Sequence, residues 1–338
     1  MLTSSEVKSI SSRLDFDKFA DKRILITGAS GLVGSYLVDA ILKCTDYMGN
    51  NAPTLIAISK KGNFSSLKGQ LDNPRLVTLS LDLAHQKIDF EYELLIHAAS
   101  TASPTKQVSR ETLLNVNCNT LKILYDKPGS VERVLFISTG EVYGAQAPKH
   151  VSEDYIGIID NSSYRADYPE AKLRAEKLTL GLSQSGIEGR IARLFHSYGP
   201  GVRIDDGRSF ADFLWAASLG KPPTLRTSGS QIRSFLYLED TIVGLLKILD
   251  SDISTPVNLG SEVEVSILDF AKAVSEVAGF EGEVCFENIK SDTIFSPNDI
   301  VLPSVNKLRN IGWNQEIPIH LGIERTLNWI GCNKTVKA

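Results

Sequence analysis

The chain has 338 residues, 42% of them apolar, 22% charged and 8% aromatic, which excludes a disordered or fibrous protein and leaves room for a sizeable core. With 36 Lys and Arg against 40 Asp and Glu, the net charge of −4 excludes an overall field favouring nucleic acid or an anionic membrane. At roughly 150 residues per domain, the length suggests two domains, or one large α/β domain with an appendage.

Cys44, Cys118, Cys285 and Cys332 stand far apart, with no CxxC pair and no histidine at metal spacing. That pattern predicts free thiols in a reducing compartment and no metal site. The N-terminal stretch MLTSSEVKSISSRLDFDKFADKR has no apolar run, and no later segment approaches the roughly 18 apolar residues of a membrane span. A cytoplasmic protein without membrane or nucleic-acid partners is expected.

The first strong apolar run is Ile24-Leu25-Ile26, followed by the glycine turn TGASGLVG (27–34) and an amphipathic stretch through Leu37, Val38, Ile41 and Leu42. This reads as strand, turn and helix. Further strands are expected at Thr54–Ile58, Leu76–Leu81, Glu93–His97, Val134–Ser138 and Arg190–Phe195, with a helix from about Glu170 to Ser183. Apolar runs alternating with helical patterns predict an α/β, doubly wound parallel sheet of the Rossmann type. After Tyr198-Gly199-Pro200-Gly201 the segments shorten and prolines punctuate them. The expected division is therefore a dinucleotide-binding domain over 1–195, with about 234–250 returning to it. A smaller, interleaved C-terminal α/β substrate domain takes 196–233 and 251–338.

Glycines let a backbone turn sharply and approach a pyrophosphate, and the helix that follows directs its free N–H groups at the anion. The turn at 27–34 has the strand-before, helix-after context this needs. It predicts a dinucleotide held by Gly28, Ser30, Gly31, Leu32, Val33 and Gly34. At the end of the second strand, where a carboxylate would bind a ribose hydroxyl, stand Ser59, Lys60 and Lys61. Two lysines can accommodate a 2′-phosphate or simply be solvated, so NAD is expected and NADP stays open. Asp82 and Leu83 are placed to meet the adenine.

Tyr168 and Lys172 are four residues apart and share one helix face. An ammonium beside a phenol stabilises the phenolate and draws its pKa from about 10 towards neutrality. Such a phenol accepts a hydroxyl proton while a nicotinamide accepts the hydride. Thr139, at a strand's C-terminal end, can share a hydrogen bond with the same hydroxyl. His97 follows a strand beside the expected cofactor and reads as a backbone-positioning residue.

Together TGASGLVG, Asp82-Leu83, His97-Ala98-Ala99-Ser100, STGEVYG, YPEAK, RLFHSYGPG and GSQIRSFLYLED resemble an extended short-chain dehydrogenase/reductase, of the nucleotide-sugar epimerase, dehydratase and decarboxylase family. The likeness runs from Lys22 to about Trp329. It implies Thr139, Tyr168 and Lys172 as the catalytic trio, with Tyr168, Lys172, Ala98, Ala99 and Ser100 also beside the cofactor. It implies Ser103, Gly140, His196 and Arg233 beside the sugar nucleotide, Arg233 holding the diphosphate, and residues near Phe210 and Leu225 flanking the base. It also implies a homodimer through the helix at about 167–185, where Leu173, Leu178, Leu180 and Leu182 offer apolar surface or face their own sheet.

Glu141 resembles the carboxylate of the 4,6-dehydratases and UDP-glucuronate decarboxylases. On an extended strand it points to the same side as Thr139, where it can remove a C5 proton once C4 is a ketone. Gly140 departs from the Asp or Ser that dehydratases carry. Asn298-Asp299-Ile300-Val301-Leu302-Pro303 lacks the arginine of many relatives, and His196 replaces their asparagine. The expected function is a nucleotide-sugar lyase, either a 4,6-dehydratase or a decarboxylase, working through a 4-keto sugar. One alternative is a C4 or C5 epimerase, with Gly140 leaving the keto sugar room to rotate. The other is a catalytically idle binding or sensor protein that retains the fold.

Overall fold

The structure is a computed structural model that describes all residues except 1, 87, 89, 101–107, 127–128, 145, 161–165, 288–300 and 334–338. Seven strands form one sheet: β1 (Arg23–Thr27), β2 (Thr54–Ser59), β3 (Leu76–Ser80), β4 (Leu94–His97), β5 (Arg133–Thr139), β6 (Glu188–Leu194) and β7 (Val257–Leu259). Their spatial order is β7-β6-β5-β4-β1-β2-β3, and every pairing is parallel. The order reverses between β1 and β4, the crevice where doubly wound sheets bind ligands.

Successive residues of β1 serve opposite faces. Ile24 and Ile26 pack with helices α2 (Leu32–Cys44) and, further along the chain, α6 (Leu238–Asp250). Leu25 packs on the other face, with α3 (Arg110–Asp126) and the Ala175 side of α4 (Asp167–Gly181). A strand covered on both sides must be apolar at every position, which is why these runs do not alternate.

A second apolar cluster joins Phe210, Phe213 and Leu214 of α5 (Ser209–Ser218) to Phe270 and Val274 of α7 (Ile267–Val277), with Ile323 and Ile330. Phe235 and Phe270 stack at its centre with ring centroids 4.3 Å apart. The segment 235–250 forms a short strand, Phe235–Tyr237, and helix α6, whose Ile242 and Leu246 pack in the first cluster. β7, however, lies within the stretch assigned to the substrate part and extends the large sheet beside β6.

The polar N-terminus forms a helix, α1 (Ser4–Arg13), with a capping box between Thr3 and Glu6. Its Glu6 carboxylate is buried and accepts from the hydroxyls of Tyr36 at 3.0 Å and Tyr237 at 2.7 Å. Among the described residues no helix is long and apolar enough to cross a membrane.

Candidate active site

The glycine turn leaves β1 at the reversal point. Gly28 has φ +69°, and a Cβ there would lie 2.7 Å from the Ala98 carbonyl oxygen. Only glycine fits both the left-handed backbone and this approach to the end of β4. Gly31 caps α2 without a side-chain hydrogen bond, and the first turn carries no acidic residue. The leading N–H groups of a 13-residue helix therefore face the crevice beside a bare backbone. Leu32 and Val33 give their side chains to the core beneath, leaving their backbone to line the turn.

At the end of β2, Ser59 Oγ donates to Ser30 Oγ at 2.8 Å, tying β2 to the turn. Lys60 is not simply solvated: its Nζ pairs with Asp82 at 2.9 Å. That contact holds the Asp82 carboxyl down at about 2. Leu83 is 5% exposed and belongs to the core below. His97 sits fully buried between Thr27 Oγ1 at 2.7 Å and the Val116 carbonyl at 3.1 Å. The carbonyl can only accept, so Nε2 donates and Nδ1 accepts, and burial depresses the imidazole to about 4. His97 is a neutral positioning residue for the strand ends.

Thr139 ends β5, and Tyr168 and Lys172 lie one turn apart on α4. The Thr139 and Ser100 hydroxyls both face the half-buried Tyr168 phenol. Ser100 Oγ is buried and completes no hydrogen bond. An orphaned hydroxyl beside a phenol and a glycine cradle fits a bound ligand that supplies the missing partner.

The pair does not behave as the sequence implied. Burial and the Glu141 carboxylate raise the phenol above its ordinary value, while Thr139, Ser100 and Arg208 work against them. Lys172 is 2% exposed, its Nζ donates to the Ile137 carbonyl at 2.8 Å, and it stands 5.9 Å from the Tyr168 ring centre. Burial lowers the ammonium to about 7, with Glu176 opposing.

Glu141 reaches the phenol by a different path from the one expected. The strand stops at Thr139, and Gly140–Tyr143 form a 3₁₀ turn, with the Glu141 amide donating to Thr139 Oγ1 at 3.3 Å. The exposed carboxylate acts on Tyr168 from that turn rather than from an extended strand. Gly140 opens no free space. A Cβ there would meet the Phe195 ring at 2.8 Å, so the ring fills the volume of the absent side chain.

His196 opens the short strand His196–Tyr198, which pairs with Phe235–Tyr237, and lies 6.1 Å from the Phe235 ring. Arg233 sits on the short strand Ile232–Arg233, its Nη1 donating to the Ile232 carbonyl at 2.9 Å. Phe210 and Leu225 are each 2% exposed and fill the second core, so any contact with a base falls to their neighbours. Of the four leucines in 167–185, Leu182 is fully buried, Leu173 and Leu178 pack on their own domain, and Leu180 alone is exposed, at 39%. Ser103 and positions 298–300 lie outside the described residues.

Sequence reasoning missed Phe195, Arg208 and the Glu176–Arg193 pair. Phe195 and Arg193 carried a signal only as part of a strand. Arg208 stands in an Asp-Asp-Gly-Arg segment just beyond the Gly-Pro turn, and its guanidinium packs 4.7 Å over Phe210.

A sequence model of the NAD dependent epimerase/dehydratase family matches residues 24–260. UDP-glucuronic acid decarboxylase 6 of Arabidopsis thaliana is 31% identical over 330 residues, covering 95% of this chain and 93% of that protein. UDP-glucuronic acid decarboxylase 1 of Xenopus tropicalis is 31% identical over 312 residues, covering 91% and 72%. Among solved structures, the UDP-glucuronic acid 4-epimerase of Bacillus cereus superposes with a TM-score of 0.77 at 22% identity, covering 92% of this chain and 99% of that one. The dTDP-glucose 4,6-dehydratase of Bacillus anthracis gives 0.75 at 16%, covering 93% and 98%.

Proposed function

The chain belongs to the NAD dependent epimerase/dehydratase family, and from that premise we propose that it is a lyase acting on a nucleotide-diphosphate sugar, of the decarboxylating kind. The observation that carries this reading is the convergence of Thr139, Lys172 and the unpartnered Ser100 hydroxyl on Tyr168, beside the glycine cradle. Gly28, Ser30, Gly31, Leu32, Val33 and Gly34 would hold the pyrophosphate of NAD. Ser59, Lys60, Asp82 and Leu83 would border its adenosine, and Ala98, Ala99, Ser100, Tyr168 and Lys172 its nicotinamide end. Bound there, NAD supplies the acceptor for the sugar's C4 hydride and the donor that returns it.

In its ionised form Tyr168 Oη takes the proton of the 4-hydroxyl, steadied by the Thr139 hydroxyl. A carboxylate at C5 of a 4-keto sugar is a β-keto acid and loses carbon dioxide without an acid to protonate a leaving group. Dehydration does need such an acid, and position 140 offers none, with the apolar Phe195 ring in its place. Loss of carbon dioxide leaves an enolate that takes up a proton at C5, delivered through Glu141, and Arg233 and His196 face the nucleotide sugar, Arg233 at the diphosphate. The large sheet carries the cofactor and the C-terminal cluster the substrate. The relatives' printed names support UDP-glucuronic acid as the first substrate to try. A cytoplasmic homodimer through α4 completes the proposal.

The test is mass spectrometry of the products after incubation with UDP-glucuronic acid and NAD. Loss of carbon dioxide is expected, and Tyr168→Phe should abolish it while NAD binding persists. An isomer of unchanged mass would instead make the protein an epimerase, and turnover retained in Tyr168→Phe would overturn the mechanism.

A further inference from the structure

Directly behind the reacting pair lies a buried charge cluster that the proposed reaction does not use. Glu176 follows Lys172 by one helical turn on α4 and is 4% exposed. Its Oε1 accepts from Ser138 Oγ at 2.5 Å and from Arg193 Nε at 3.1 Å, and its Oε2 accepts from Arg193 Nη2 at 2.8 Å. Arg193 continues away from the site. Its guanidinium stacks 4.8 Å over Tyr143, and its Nη1 donates to the Glu153 carbonyl at 3.4 Å. Tyr143 in turn donates to Asn258 Oδ1 at 2.6 Å.

Two adjacent ties thus dock α4 on the end of β5: Lys172 to the Ile137 carbonyl and Ser138 to Glu176, immediately before Thr139. A buried, twice-anchored carboxylate costs desolvation, and structural ion pairs of this kind are often replaceable by apolar residues without loss of stability. Its placement one turn from a buried lysine calls for another reason.

We propose that Glu176 is a positioning residue: held by Ser138 and Arg193, it is the counter-charge that keeps the buried Lys172 ammonium charged beside Tyr168 and fixes the strand end carrying Thr139. The proposal rests on the Tyr168–Lys172 reading of the site. The other groups facing Lys172 do not do this. The Tyr168 phenol and the Phe136 ring, 4.7 Å away, carry no charge. Burial keeps the Cys118 thiol of α3 in its neutral form, and His97 of β4 is neutral near pH 7. Arg193 is held by the Glu176 carboxylate and carries the same sign of charge as Lys172. Burial pulls Lys172 down to about 7, and Glu176 opposes it. Removing that carboxylate therefore lowers the midpoint further and leaves less ammonium at physiological pH.

The experiment is a pH titration of the protein labelled with ¹³Cε-lysine, following the Lys172 resonance, assigned by its absence in Lys172→Met. Glu176→Gln, which keeps an acceptor for Ser138, should lower the midpoint by about one pH unit. With UDP-glucuronic acid and NAD, its kcat should fall at pH 8 and recover towards wild type at pH 6, a recovery that a merely structural lesion would not show. Glu176→Gln leaves Arg193 as an unpaired buried cation, so Glu176→Gln/Arg193→Gln carries the test if the single variant does not fold. A Lys172 midpoint unchanged or raised in whichever variant folds overturns the proposal. The titration needs no sugar, so failure of the nucleotide-sugar reading leaves its outcome interpretable.

Discussion

At position 140 the backbone passes so close to Phe195 that an added methyl would lie 2.8 Å from two ring carbons, Cε1 and Cζ. Such overpacking forces a shifted side chain or backbone and typically costs about 1–3 kcal/mol. Gly140→Ala should lose stability on that scale in urea unfolding, and Phe195→Leu in the same chain should restore much of it. If Gly140→Ala alone is as stable as wild type, the ring does not occupy that volume. The sequence showed that a polar residue is missing at 140. It could not show what fills the gap, because Phe195 is 55 positions away, just past the end of β6. Distance along the chain likewise hid Arg208, whose charge acts on Tyr168.

At the level of elements, α1 is bound to the body of the protein through one buried carboxylate. Glu6 accepts from Tyr36 of α2 and from Tyr237, which immediately precedes α6. On the same helix, Arg13 pairs with Asp240 at 2.8 Å and Ser9 donates to Glu239 at 2.5 Å. Replacing Glu6 by Ala strands two buried hydroxyls and removes half of the capping box. It should cost about 3 kcal/mol or more. Thr3→Ala removes a cap alone and should cost about 1 kcal/mol. Chemical denaturation distinguishes the two, and equal losses would mean that capping, not the buried carboxylate, holds the helix. The helix was not legible beforehand because its pattern is polar and only Glu6 and Ile10 of its residues are buried. The strands were legible because each is a short apolar run between turn residues, and α4 through the i, i+4 spacing of Tyr168 and Lys172.

For the whole molecule, the reversal between β1 and β4 puts the glycine turn, the Lys60–Asp82 pair and the Ser100 hydroxyl along one crevice. A ligand bound there by the native state alone stabilises it by about 2.7 kcal/mol at a hundredfold excess over Kd. NAD should therefore raise the thermal midpoint. An equal concentration of NADP should raise it less, because Lys60 is already engaged by Asp82, whose carboxylate repels a 2′-phosphate. A larger shift with NADP would reverse that assignment.

Local information determined the layered α/β architecture, the glycine turn between β1 and α2 and the shared helix face of Tyr168 and Lys172. Periodicity, glycine spacing and an i, i+4 pair depend only on neighbours along the chain. Tertiary structure decided what the local pattern could not. It turned Glu141 onto Tyr168 through a 3₁₀ turn, filled Gly140 with Phe195 and paired Lys60 with Asp82. It also raised the phenol that the lysine had been expected to lower. Burial and through-space charge set those outcomes, and both are properties of which distant segments meet.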